Sequence, residues 1–412
     1  MRIATLSIGD ELIRGEIVDS NAAWLAAILY DHGMAVTTHL TVPDDERLLV
    51  DALQQLSQDH DTIIATGGLG STTDDVTARA AARATGRRLM VNEDALRHLR
   101  QYAERNGTTL VEADDRQALI PARGEILANP LGTAPGFTIE EGSRFYAFLP
   151  GVPAEMERMT RDSLIPALLA RRRDRRHFTT RVLRIFGLSE VQVARLVAPI
   201  ALPEKISLSF LPSYPEILLK VRGEAGPGEE LELSIDAVVE RLRTKLSPCL
   251  YAEEDVGMAI TVGNLFRQQG RTLSLAESCT GGLLSTLLTD GAGSSDFFLA
   301  GQVTYSNAAK ERDLGVPMEL ISHHGAVSAE VAMAMAEGSR QRSGSDLAIA
   351  ITGIAGPSGG TLEKPVGTVY MALADAAGSR AKRYQFYGDR GKIRTISAFT
   401  AMDWLRRVLL GL

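Results

Sequence analysis

An α/β fold, built as two α/β domains joined by a small α+β module, is predicted by three features of the 412-residue sequence. Strand-like runs such as "IATLSIG" and "DTIIATGG" alternate with helical periods over the first 170 residues. The dense basic stretch "ARRRDRRHFTT", residues 170–180, interrupts that alternation and opens a short mixed region. Alternation resumes near Asp255 and continues to the end.

Each element has a local reason. In "SNAAWLAAILYDHG", Trp24, Leu25, Ile28 and Leu29 share a helical face, with Ser20 placed to cap the helix and Gly33 to end it. Asp44 can cap the following helix, "DDERLLVDALQQL". These periods predict a parallel sheet for residues 1–170. In the middle region, 178–250, "ISLSFLPSYPEILLKVRG" reads as a strand pair around a proline-containing turn, "AGPGEE" as a loop and "LELSIDAVVERLRTKL" as an amphipathic helix. The last region, 255–412, predicts helix "DVGMAITVGNLFRQQG", strand "RTLSLA", helix "GGLLSTLLTD" and strand "FLAGQVTYS". Helix "SAEVAMAMAEGSRQRSG", strand "SDLAIAITG", strands at "VGTVYMALA" and "AKRYQFYG", and a final helix ending "AMDWLRRVLL" complete it.

Composition narrows the function. A hydrophobic content of 45% supports a large core, and a net charge of −7 supplies no general field for nucleic acid. The basic stretch lacks interleaved aromatics, so a solvated connection is expected rather than a nucleic-acid patch. Cys249 and Cys279, the only cysteines, exclude a disulfide framework and Cys-x-x-Cys metal spacing, and fit a reducing compartment. Acidic Asp10 comes too early for a signal peptide and no apolar run reaches membrane-spanning length, so a soluble cytoplasmic protein without membrane contact is expected.

Two acidic pairs mark the first domain. Asp10 and Glu11 follow the first strand, and Asp74 and Asp75 follow "TGGLGSTT". Ligands of open α/β sheets bind beyond the carboxyl ends of the strands, so both loops should face one crevice. Gly67, Gly68 and Gly70 let backbone N–H groups approach an anion, and the carboxylates could hold a divalent metal bridging phosphate oxygens. The same acids could equally be helix caps. The Gly/Pro loops "NPLGTAPGF" and "FLPGVPAEM" either line that crevice or simply reverse the chain.

In the last domain, "SLAESCTGG" places Ser278, Cys279 and Thr280 where a strand gives way to a helix, where free N–H groups favour developing negative charge. Ser278 and Cys279 compete as nucleophile, and Ser278 or Thr280 could instead serve as N-cap. The histidines offer little as a base, since His323 and His324 lie in a polar loop. Lys310, just inside the helix after "VTYSNAAK", is the better candidate if burial leaves it neutral, with Tyr305 at the preceding strand end. The loop "GIAGPSGGTLEKP" offers glycine N–H groups to an oxyanion or phosphate, and Arg390 and Arg394 stand four residues apart on one helix face, suited to clamp a phosphate.

These motifs are familiar as a set. "GDELIRGEIVDSNAAWLA", "TGGLGSTTDD", "NPLGTAPGF" and "FLPGVPAEM", then "AESCTGG", "VTYSNAAK", "ITGIAGPSGGTLEKPVGTVY" and "GDR", resemble the CinA family of competence/damage-inducible proteins, in order and over nearly the whole chain. The resemblance implies an N-terminal domain of molybdopterin-binding fold acting as an ADP-ribose pyrophosphatase with a divalent metal (Mg, Mn or Co). It implies a KH-like middle domain and a metal-free C-terminal nicotinamide mononucleotide deamidase, assembled as a homodimer. By motif, Ser278 becomes the nucleophile, with Lys310 and Tyr305 activating it. Cys279, Thr280 and Gly281, the loop Gly353, Ile354, Ala355 and Gly356, and the arginines 390 and 394 then fall around the substrate. Ser71 departs from the family, which usually has proline there, and puts the geometry of the glycine loop in question. Two other readings stay open: a pterin-binding molybdenum-cofactor protein, and a competence or recombination adaptor using Arg171, Arg172 and Arg173.

Overall fold

Five of the six strands in the N-terminal sheet run in one direction, largely as the periodicity predicts, and one runs against them. The computed structural model describes residues 1–109, 114–172, 176–226 and 230–412. Residues 173–175 of the basic stretch, Arg173 among them, and residues 227–229 of "AGPGEE" lie outside the described residues. The chain divides into two compact units, one formed by Met1–Thr179 with Glu224–Glu229 and one by Thr180–Gly223 with Glu230–Leu412.

The N-terminal unit contains β1 (Ile3–Ile8), β2 (Val36–Val42), β3 (Thr62–Thr66), β4 (Leu89–Val91), β5 (Leu119–Pro121), β6 (Glu125–Leu127), β7 (Gly136–Glu141) and β8 (Arg144–Leu149). Its helices are α1 (Asp10–Ile13), α2 (Ser20–Asp31), α3 (Glu46–Asp59), α4 (Thr77–Ala84), α5 (Glu93–Asn106), α6 (Pro153–Met159) and α7 (Ile165–Arg171). The sheet order is β2-β1-β3-β8-β7-β6, with β7 antiparallel to both neighbours. The tight Glu141–Arg144 connection explains the exception, since so short a link can join only antiparallel strands. β4 and β5 form a separate antiparallel pair, with α5 in the connection between them. β1 and β3 are buried along their whole length, with Leu25, Leu29, Met156 and Leu168 in one core layer and Leu49, Leu53, Ala80 and Leu99 in the other.

Two caps shift by one residue from the sequence reading. Asp19, not Ser20, caps α2 by accepting the Ala22 N–H, and Asp45, not Asp44, caps α3 by accepting the Leu48 N–H. Asp44 is thereby released for another role. In the basic stretch, Arg171 pairs with Glu140 over the Phe145 ring, and Arg172 donates to His32 O at 2.8 Å.

The middle module comprises β9 (His177–Phe186), α8 (Glu190–Val197), β10 (Ile206–Ser213), β11 (Glu216–Ala225), α9 (Leu231–Leu246) and β12 (Leu250–Ala252). Its sheet order is β10-β11-β9-β12, and the predicted strand pair turns at Tyr214 and Pro215. The C-terminal module holds α10 (Met258–Gln269), β13 (Leu273–Glu277), α11 (Leu283–Thr289), β14 (Phe298–Val303), α12 (Asn307–Leu314), α13 (Met318–His324), α14 (Ala329–Ser343), β15 (Leu347–Gly353), β16 (Thr368–Asp375), β17 (Gly378–Gln385) and α15 (Arg390–Leu409). Here the order is β14-β13-β15-β16-β17, with β13 parallel to both β14 and β15 and the last two strands antiparallel. Phe266, Leu284 and Trp404 fill one face of the sheet; Val331 and Met335 fill the other. Because Glu277 registers with both Val303 and Ile351, the loops leaving β13, β14 and β15 open on the same side. Among the described residues, no helix is long and apolar enough to cross a membrane.

Candidate active site

Ser278 stands one residue past the end of β13, its N–H held by Ile351 O at 2.9 Å. α11 begins only at Leu283, so the serine is not at the helix start that the sequence predicts. The free N–H groups there belong to another residue. The buried Glu277 carboxylate accepts from Gly282 and Leu284 N–H at 3.0 and 3.1 Å, and from Ser285 N–H and hydroxyl at 2.8 and 2.6 Å. Glu277 therefore closes the 278–282 turn onto the sheet and takes the place of a conventional N-cap.

Lys310 comes to this turn from α12, capped by Ser306, and is 1% exposed. Its Nζ lies 3.1 Å from Ser278 Oγ and 2.7 Å from Thr304 O, with Tyr305 O at 3.5 Å. Among the described residues no carboxylate lies within ion-pair distance of it. Burial therefore dominates and lowers the lysine pKa, against a small opposing effect of Cys279. A lysine desolvated in this way and touching a hydroxyl is equipped to act as a base. Cys279 lies in the core, and burial pushes its thiol up to about 12. That thiol stays protonated near neutral pH and is a poor nucleophile.

Tyr305 differs from expectation. Its side chain is 60% exposed and its hydroxyl takes Arg390 Nη2 at 2.8 Å, so only its backbone carbonyl approaches Lys310. The arginines also bond within the protein: Arg390 Nη1 donates to Gly356 O at 2.7 Å, and Arg394 donates twice to Thr280 O, at 3.1 and 2.7 Å. They brace the glycine loop and the Ser278 turn from α15. The middle module touches the same helix end, since Tyr214 hydroxyl donates to Lys392 O at 3.0 Å. Gly353 packs on the turn closely enough that a Cβ would stand 3.1 Å from Cys279 Sγ and 2.7 Å from Val369. Ile354 is bonded to Thr368 O and Gly367 N–H, whereas Ala355 and Gly356 N–H donate to no carbonyl among the described residues. Cys279 and Thr280 N–H likewise have no carbonyl partner there, and Gly281 N–H returns to Ser278 O at 3.1 Å. Thr280 and Thr304 hydroxyls are buried beside this centre and have no hydrogen-bond partner among the described residues.

In the N-terminal unit, Asp10, Glu11 and Asp44 gather at the ends of β1 and β2. Asp10 and Asp44 exchange bonds, Asp10 N–H to Asp44 at 2.9 Å and Asp44 N–H to Asp10 at 3.3 Å, while Asp10 also pairs with Arg14. Burial first, then the carboxylates of Glu11, Asp10 and Asp74, raises the Asp44 pKa against the pull of the Asp10 N–H. Asp75 turns elsewhere and accepts the Thr72 N–H and hydroxyl at 2.8 and 2.6 Å. The glycine loop passes beside this acidic group. At Gly67 (φ 107°) a Cβ would stand 2.2 Å from Ile8 O, so only glycine fits. Gly68 and Gly70, with Asp75, line a cavity of about 330 Å³. The two Gly/Pro loops also meet, since buried Asn129 donates to Glu155 at 2.7 Å and to Ala134 O at 2.9 Å, while accepting from Gly132 N–H.

Among the described residues, no three Asp, Glu, His or Cys side chains converge on one ion position. Carboxylates are ligands that hard cations accept, and Mg²⁺ is commonly held by only one or two of them together with phosphate oxygens. One or two of Asp10, Glu11, Asp44 and Asp74 could serve in that way, whereas Asp75 is bonded within its own turn.

Comparison with known proteins gives the same partition. The CinA C-terminal domain model matches residues 256–409, a probable molybdopterin binding domain 4–170, and the damage-inducible protein CinA KH domain 180–252. A CinA-like protein of Geobacter sulfurreducens is 52% identical over 411 residues, covering all of both chains. The chain belongs to the CinA family. A CinA-like protein of Geobacter metallireducens is 50% identical over 411 residues, again covering both chains completely. A crystal structure of competence/damage inducible protein CihA from Agrobacterium tumefaciens is 42% identical over 37% of this chain and 93% of that one, with a TM-score of 0.36.

In this CinA-family chain the residue that most shapes the serine turn, Glu277, carries no sequence signal of its own, because a glutamate ending a strand reads as a surface residue. Glu277→Gln is expected to lower stability by about 3 kcal/mol, since an amide cannot accept all four bonds and would bury an N–H₂ group against N–H donors. Denaturant unfolding checks this, and an unchanged midpoint would show that the turn closes without the carboxylate.

Proposed function

We propose that the C-terminal domain deamidates nicotinamide mononucleotide to nicotinate mononucleotide and ammonia. The observation that carries this reading is a buried, unpaired lysine 3.1 Å from a strand-end serine hydroxyl. Neutral Lys310 takes the Ser278 proton as Oγ attacks the carboxamide carbon, and the carbonyl oxygen becomes the oxyanion. The N–H groups of Ala355 and Gly356, which donate to no backbone carbonyl among the described residues, are the available donors to it. Protonated Lys310 gives its proton to the departing nitrogen, which leaves as ammonia. Water, deprotonated in turn by Lys310, releases the acid and restores Ser278. No step in this sequence calls for a metal.

For the N-terminal domain we infer hydrolysis of ADP-ribose to AMP and ribose 5-phosphate. A divalent ion held by one or two of Asp10, Glu11, Asp44 and Asp74 together with the pyrophosphate would polarise the scissile P–O bond. The glycine loop beside those carboxylates supplies the backbone approach that a pyrophosphate needs.

Ammonia release from nicotinamide mononucleotide, with and without chelator, tests the first reading, and AMP formation from ADP-ribose with added Mg²⁺ tests the second. Chelator-resistant ammonia release and chelator-sensitive AMP formation are the expected results; absence of either overturns the corresponding assignment. Arg394→Ala should lower the deamidation kcat about tenfold, because its two bonds to Thr280 O fix the turn that aims Ser278. Arg394→Lys, which cannot form the paired contact, should recover little of the loss. An Arg394→Ala enzyme with wild-type kcat would remove α15 from the aiming of the serine.

A further inference from the structure

The hairpin of β10 and β11 ends in a two-residue tip, Tyr214 and Pro215, closed by the Ser213–Glu216 pair. Its root is fixed inside the middle module. Glu216, 6% exposed, accepts from the Tyr251 hydroxyl and from Arg184 Nη1 at 3.1 Å, and Arg184 also bonds Asp255 just ahead of α10. A buried carboxylate with two such donors keeps one position, because losing either leaves a charge short of partners in the interior. The tip that carries Tyr214 is therefore rigid where it leaves the sheet.

This tip meets the first turn of α15. Tyr214 hydroxyl donates to Lys392 O at 3.0 Å, and Lys392 Nζ lies over the tyrosine ring at 6.0 Å from its centroid. Burial, then the Asp389 carboxylate, raises the phenol pKa, so the hydroxyl keeps the proton that it donates. A second contact joins the middle module to the same helix farther along, where buried Arg406 donates to Pro248 O at 2.6 Å. At 1.5 Å per residue, Lys392 and Arg406 stand roughly 21 Å apart on the helix. One contact would leave α15 free to pivot, whereas two at that separation fix its axis. Arg390 and Arg394 flank the Lys392 contact, and theirs are the bonds to Gly356 O and Thr280 O.

We propose that the middle module is a positioning arm of the serine–lysine site. Tyr214 holds the first turn of α15, and α15, through Arg390 and Arg394, holds the glycine loop and the Ser278 turn. The role is one of geometry rather than chemistry. Ser278 Oγ is aimed by a turn whose Thr280 carbonyl hangs on Arg394, so a shift of α15 is passed to the nucleophile. Orientation is needed in full only as the new bond forms, so misalignment lowers kcat and leaves substrate affinity largely intact. The kinetic consequence rests on the deamidase reading, while the mechanical link can be measured without turnover.

The experiment uses Tyr214→Phe in the full-length protein, which removes the hydroxyl and keeps the ring. Deamidation kcat should fall about fivefold, the usual worth of one hydrogen bond, with KM unchanged and AMP formation from ADP-ribose unaffected. In an Arg394→Ala background the same substitution should have no further effect, because the route to Ser278 is already cut. Hydrogen exchange gives the readout without turnover: amides of residues 390–396 and 278–284 should exchange faster in Tyr214→Phe, while those of α14 keep their wild-type rates. Wild-type kcat in Tyr214→Phe overturns the proposal, and so does unaltered exchange in either segment. A full fivefold loss on top of Arg394→Ala also overturns it, since Tyr214 would then act by a separate route. If exchange responds as stated but the wild type releases no ammonia, the deamidase reading fails and the positioning arm stands.

Discussion

Ser278→Ala is expected to lower kcat for ammonia release from nicotinamide mononucleotide by on the order of 10⁴-fold, while Cys279→Ala keeps most of the activity. The two side chains are adjacent in sequence and differ in surroundings. Ser278 Oγ has a buried amine at 3.1 Å to receive its proton. The Cys279 thiol packs into the core against Gly353, is pushed up to about 12 by burial, and has no base within hydrogen-bond reach among the described residues. Removing the sulfur leaves a small core void, which predicts a loss of about 1–2 kcal/mol in stability and little in rate. The controls are internal, because AMP formation from ADP-ribose by the N-terminal unit should be unchanged in folded Ser278→Ala. A dead Cys279→Ala beside an active Ser278→Ala would make this a thiol enzyme and discard the serine–lysine pair.

What the sequence makes legible here depends on whether a signal is local. Alternating apolar runs place β1, β3, β13 and β15 correctly because a buried strand announces itself within five to seven residues. The hairpins that turn both sheets antiparallel at one edge are less visible, since strand direction depends on connection length and pairing rather than on composition. Likewise Ser278 and Lys310 could be named as a possible pair, but their 3.1 Å approach requires β13 and β14 to lie parallel and in register. Glu277 was invisible because its four donors come from residues that follow it in a turn no local pattern predicts. Asp44 reads as a helix cap until Asp45 takes that place and leaves it facing Asp10. Arg390 and Arg394 read as a phosphate clamp from their spacing alone; in the fold they also hold Gly356 and Thr280 carbonyls, contacts that spacing cannot reveal.

Lys310→Met should lower the deamidation rate by on the order of 10²–10⁴-fold, the range for loss of a general base, and should do so without lowering stability at neutral pH. Burial of an unpaired ammonium is unfavourable, so an apolar side chain of similar length in the same space removes a penalty and loses only the contacts to Ser278 and Thr304 O. The pH dependence follows from the same burial. Desolvation lowers the lysine pKa below its ordinary 10.5, so in wild type the rate should rise with pH as Lys310 loses its proton and level off at a pH below that value. Stability moves in the same direction. Between the lowered folded pKa and 10.5 the unfolded chain carries a proton that the native chain lacks, so stability rises with pH across this window. Below the folded pKa both states are protonated and the penalty is present in full. Subtracting the Lys310→Met unfolding profile from that of wild type isolates this slope, because methionine does not titrate. A difference profile that is flat with pH, or one that falls, would mean that Lys310 is charged in the native protein throughout, and a charged Lys310 cannot take the proton of Ser278.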